Sequence, residues 1–84
     1  MVEIGMTLEQ LDNGRIIVRL NNGLSPHDVS KHLREYLNSR GEIIIGERGD
    51  VEIPSHFLKE AGRNFQDIAL ELGEAFDCRC RLDL

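Results

Sequence analysis

Apolar positions along this chain recur with two different periods, and each switch of period marks a new element. Residues 6–11 and 15–20 read as two strands around Asp12-Asn13-Gly14. Two turn registers fit. A two-residue Asn-Gly turn sets Glu9 opposite Val18 and Leu8 opposite Arg19. A three-residue loop, with Gly14 in the left-handed conformation, pairs Leu8 with Val18 and Met6 with Leu20. The second register collects the apolar side chains on one face and is preferred.

The spacing then lengthens to that of a helix. Asn21-Asn22-Gly23 breaks the strand, Ser25 suits the N-cap, Pro26 suits the first helical position, and Asp28 falls three residues after the cap. Val29, Leu33, Tyr36 and Leu37 form the stripe of this helix, and Gly41 is expected to close it. Residues 42–53 return to strand chemistry as a second hairpin, turning on either Arg48-Gly49 or Gly49-Asp50. Both registers put Glu47 and Glu52 on one face of neighbouring strands and turn Ile44, Val51 and Ile53 to the core. Pro54-Ser55 then begins a short helical turn ended by Gly62. Asn64 caps a further helix, with Asp67 three positions on and a stripe of Phe65, Ile68, Ala69, Leu72 and Phe76. Asp67, Glu71 and Glu74 are expected on its wet face. Residues 78–84 alternate without a break, as a strand with one buried face does.

The order ββ-α-ββ-α-α-β predicts a single α+β domain over residues 1–84. Two layers are expected: a mixed or antiparallel sheet covered on one face by two main helices. Met6, Leu8, Ile16, Val18, Leu20, Ile44, Val51, Ile53, Cys78, Cys80, Leu82 and Leu84 take the covered face. The open face receives Arg15, Arg19, Glu47, Glu52, Arg79, Arg81 and Asp83, with Ile17, Ile43 and Ile45 among them. Isoleucines in such a place either meet the N-terminal segment or belong to an interaction or self-association surface formed by Ile17, Ile43, Ile45, Arg79 and Arg81.

Composition narrows the function classes. A hydrophobic content of 40% and a charged content of 30% are those of an ordinary globular chain. Fifteen acidic against ten basic residues, net −5, weigh against nucleic acid, whose phosphates need cationic partners; they fit cations or basic proteins better, and moderate negative charge is also what keeps a small protein soluble. No apolar run is long enough for a bilayer and no signal-peptide pattern opens the sequence, so a cytoplasmic location is expected and no membrane partner. Cys78 and Cys80 stand too close in sequence to staple distant segments, which suits a reducing compartment.

The acidic hairpin carries the sharpest chemistry. Glu47 and Glu52 on one face are like charges that need compensation, and with Asp50 they offer hard oxygen ligands of the kind Ca2+ and Mg2+ take. Glu42 or Asp12 can join them. An EF-hand loop pattern is absent, and the alternative is neutralisation by Arg48 and the sheet arginines. Cys78-x-Cys80 resembles half of a soft-metal site, but His27, His32 and His56 are scattered, and the thiols share the covered face of Leu82. Gly46-Glu47-Arg48-Gly49 spells GxxG between two strands rather than two helices, and Glu47 would repel phosphate. Arg48-Gly49-Asp50 spells an adhesion tripeptide without an extracellular context. Arg15, Arg19, Arg79 and Arg81 form a basic strip lacking the aromatics of RNA-binding sheets, and pairing with Glu9, Glu47 and Glu52 accounts for it. Among the serines, Ser25 and Ser55 occupy cap positions, leaving Ser30 and Ser39, and no nucleophile–base pair, phosphate loop or zinc HExxH motif is present. The chain therefore reads as non-catalytic.

The length, acidic balance, helix–sheet order and carboxylates near strand ends resemble those of small acidic α+β proteins of methanogenic archaea. That resemblance implies an archaeal protein with an acidic ligand pocket associated with calcium binding. The leading expectation is thus a Ca2+ binder using Glu47, Asp50 and Glu52. The alternative is a protein-interaction module or homodimer using the open sheet face.

Overall fold

A computed structural model describes residues 4–21, 23–37 and 43–83 of the chain. Its elements are β1 (Ile4–Gln10), β2 (Ile16–Leu20), α1 (Pro26–Tyr36), β3 (Ile44–Ile45), β4 (Val51–Ile53), α2 (Ser55–Ala61), α3 (Phe65–Ala75) and β5 (Arg79–Asp83). The fold is α+β in the order ββ-α-ββ-α-α-β. The five strands form one mixed sheet in the order β3-β4-β2-β1-β5, antiparallel throughout except where β1 and β5 run parallel. The three helices and the sheet make two layers.

Both hairpins use the same turn. In the first, Leu11 N donates to Arg15 O at 2.8 Å and Gly14 N to Leu11 O at 2.9 Å, around Asp12-Asn13-Gly14 with Gly14 at φ +87°. Met6 lies opposite Leu20 and Leu8 opposite Val18, which is the register that apolar alternation favours. In the second, Gly46 N donates to Asp50 O at 2.7 Å and Gly49 N to Gly46 O at 3.0 Å. Its loop is Glu47-Arg48-Gly49, with Gly49 at φ +79°.

That three-residue loop corrects both two-residue registers read from the sequence. Ile44 pairs with Glu52 and Ile45 with Val51. Side chains alternate with period two, so a shift of one residue moves every side chain of β3 to the opposite face. Ile44 is 53% exposed on the open face, whereas Ile43 is only 3% exposed in the core and Ile45 follows Val51 to the covered side. Ile44 is therefore no core residue, and Ile43 and Ile45 are not part of the open face. Glu47 sits in the loop rather than on a strand, so it is not cross-strand neighbour to Glu52.

The helices begin where local chemistry dictates. Ser25 Oγ accepts from Asp28 N at 3.4 Å, with Pro26 in the first turn of α1. Asn64 and Asp67 close a reciprocal capping box at α3, with bonds of 2.9 and 3.0 Å. Pro54, not Ser55, is the N-cap of α2, and Gly62 ends that helix at φ +66°. The core gathers Met6, Leu8, Ile16, Val18, Val51 and Ile53 from the sheet against Val29, Leu33, Ile68 and Leu72 from the helices, all fully buried. Glu71 leaves the wet face assigned to it. Its Oε2 lies 2.6 Å from His32 Nε2, tying α3 to α1, and Phe76 packs edge-on against the same imidazole. Expectations resting on Asn22, Ser39, Gly41, Glu42 and Leu84 lie outside the described residues.

Candidate functional site

The helix layer covers the sheet unevenly, and the consequence appears at β5. Met6 and Leu8 on β1, Ile16 and Val18 on β2 and Val51 and Ile53 on β4 are fully buried, whereas Cys78, Cys80 and Leu82 at the margin are only partly so. Alongside them α3 leaves an apolar groove of about 510 Å³, lined by Gln66, Ala69, Leu70, Gly73, Glu74, Cys78, Cys80 and Leu82. Gly73 lets the helix approach this strand: a Cβ there would stand 3.2 Å from Cys78 O. Leu70 projects beside the groove, 66% exposed.

Gly5 fixes the other flank of β5. The pairing of β1 with β5 shifts register between Ile4 and Met6, and a Cβ on Gly5 would lie 2.7 Å from Cys78 Cβ. The missing side chain lets the two parallel strands close up at this bulge. β5 thus has one side paired to β1 and the other at the end of the sheet, with its backbone groups presented outward.

The open-face side of β5 carries Arg79, Arg81 and Asp83, all exposed. In register, Arg81 lies beside Thr7 and Asp83 beside Glu9. Arg19 Nη2 donates to Glu9 Oε1 at 2.9 Å, and Arg15 Nη1 stands 3.9 Å from Glu52 Oε2. Two members of the basic strip are therefore neutralised across strands, as expected from the sequence. Among the described residues neither Arg79, Arg81 nor Asp83 forms an ion pair.

Burial and the adjacent Cys78 push the Cys80 thiol from its ordinary 9.0 up to about 12. The thiol is a neutral, weakly nucleophilic lining of the groove at neutral pH.

The residues assigned to a cation lie along the second hairpin. Glu47 lies exposed in the turn, Asp50 supplies its carbonyl to Gly46, and Glu52 faces Arg15. No group of three or more His, Cys, Asp or Glu side chains arranged to hold a metal occurs among the described residues. Of the surface assigned to Ile17, Ile43, Ile45, Arg79 and Arg81, only Ile17, Arg79 and Arg81 share the open face.

Sequence reasoning missed the groove, although two signals were present. Leu70 is a large apolar residue outside the buried stripe of α3, and Gly73 interrupts that helix at about 1 kcal/mol relative to alanine without capping it. No described helix is long and apolar enough to cross a membrane. In comparisons with known proteins, no family model, no curated protein and no solved structure matches this chain.

Proposed function

We propose that this chain is a small, non-catalytic protein-binding module that takes an extended segment of its partner as an added strand on the edge of β5. One observation carries the reading: β5 ends the sheet, and the apolar side of its alternating sequence opens into the groove under α3. An added strand gains main-chain hydrogen bonds along β5, while its alternate side chains drop beside Cys80, Leu82 and Leu70. Binding energy then comes from backbone pairing and specificity from the groove.

Selection of random linear heptapeptides displayed on phage, followed by amide-shift mapping with an enriched synthetic peptide, tests this. The expected peptides alternate apolar and polar residues and shift the amides of residues 79–83. Failure to enrich any sequence, or shifts confined to other strands, overturns strand addition at β5. A Ca2+ titration separates this reading from the cation reading of the hairpin. Strand addition expects no saturable change confined to residues 46–53, whereas such a change would favour Glu47, Asp50 and Glu52 as ligands.

A further inference from the structure

Resting on the strand-addition reading, we infer that the occupant of the β5 edge is a second copy of this chain, its β5 antiparallel to the first about a twofold axis at Leu82. A twofold axis perpendicular to the sheet is the arrangement that pairs two identical edges while keeping both helix layers on the same side. The sequence Arg79-Cys80-Arg81-Leu82-Asp83 then restricts the register. With Leu82 opposite Leu82 of the other copy, Arg81 of each copy lies opposite Asp83 of the other.

These are two reciprocal ion pairs at directly opposed positions, where side chains about 4.5–5.5 Å apart at Cβ interact. A shift of two residues toward the N-terminus pairs Arg79 with Asp83 but puts Arg81 against Arg81 on the axis, and the opposite shift puts Asp83 against Asp83. Odd shifts set apolar residues against charged ones. The Leu82-centred register alone has opposite charges and no like pair.

The surroundings of Asp83 point the same way. It lies beside Glu9 on β1, the guanidinium of Arg19 is bonded to Glu9, and Asp83 has no ion-pair partner among the described residues. A guanidinium arriving from across the edge supplies the cation that this carboxylate lacks among the described residues. Arg81, likewise without an ion pair among the described residues, is the group in position to supply it. On the covered side the same register places the two Leu82 side chains together at the mouths of the two grooves, beside the exposed Leu70 residues.

Sedimentation equilibrium of the wild type, Arg81→Asp, Asp83→Arg and an equimolar mixture of the two variants tests the inference. The wild-type mass rises from 9.5 kDa toward twice that value with concentration. Each variant alone juxtaposes like charges and weakens association by about tenfold or more. The mixture restores it, because a heterodimer sets two aspartates against two arginines. If either variant fails to fold by circular dichroism, Arg81→Glu and Asp83→Lys replace the pair. Variants that associate like the wild type, or a mixture no tighter than either alone, overturn the register. A wild type that stays at 9.5 kDa overturns the second copy as occupant, while heptapeptides mapping to residues 79–83 would still uphold strand addition.

Discussion

Asp83 on β5 lies in register with Glu9 on β1, two carboxylates side by side on the open face of parallel strands. Glu9 is held by Arg19 at 2.9 Å, and nothing comparable holds Asp83 among the described residues. Among the described residues the margin of the sheet therefore carries two carboxylates in register, only one of them held by a guanidinium.

Asp83→Asn removes the repulsion between the two carboxylates. Urea denaturation at low protein concentration and low salt should show the monomer stabilised by about 0.2–1 kcal/mol, an effect that fades as salt is added. The same variant should self-associate more weakly, because one member of each intermolecular pair is lost. A monomer destabilised by the change contradicts this electrostatic reading.

The face assignment of β3 separates two neighbouring isoleucines. Ile43→Asp forces a charge into a position 3% exposed and should cost about 3 kcal/mol or more. Ile44→Asp, at a position 53% exposed and opposite Glu52, should cost no more than about 1 kcal/mol. Thermal or urea unfolding of the two variants checks it, and equal effects would undo the three-residue loop.

The hydroxyl of Ser30 is fully buried on α1 without a hydrogen-bond partner among the described residues. Its replacement by alanine removes a desolvated polar group and should raise stability by about 1 kcal/mol. Differential scanning calorimetry measures this directly, and a lower Tm would reveal that the hydroxyl is bonded.

Cys80 gives the fold a pH dependence of definite sign. The folded thiol keeps its proton up to about 12, against 9.0 for an ordinary thiol. The unfolded chain therefore loses protons first, so the stabilisation is intact below 9.0 and declines as pH rises toward about 12. At pH 8.5, iodoacetamide should modify Cys80 about tenfold or more slowly in the folded chain than in urea. Cys78→Ala should speed the reaction by removing one of the causes that hold the proton on. Equal rates in the folded and unfolded chains would contradict the half-buried, neutral thiol.

How far the sequence disclosed the molecule depended on whether competing choices differed in apolar burial. For Asp12-Asn13-Gly14, one register gathered Met6, Leu8, Val18 and Leu20 on a face and the other scattered them, so patterning decided it. At residues 43–45 three consecutive isoleucines look alike on either face. The turn alone determines which of them turns inward, and the left-handed Gly49 as third loop residue is what places Ile43 and Ile45 there. Capping chemistry was legible at Ser25 and Asn64 because it is local. The bond from His32 to Glu71 joins residues on α1 and α3, and no periodicity within one helix announces it. The groove was hidden for a similar reason. Alternation in residues 78–84 foretold a half-buried strand, but its place at the sheet margin beyond β1 follows from topology.

The amide spectrum of the wild type over a dilution from about 1 mM to about 1 μM, a range spanning weak to moderate affinity, decides whether β5 is an interface. Strand addition between copies predicts concentration-dependent shifts centred on residues 79–83 and on Gln66, Leu70 and Gly73 of the groove. Shifts centred instead on Ile17, Ile44 or residues 46–53, or a spectrum unchanged across the whole range, would contradict it.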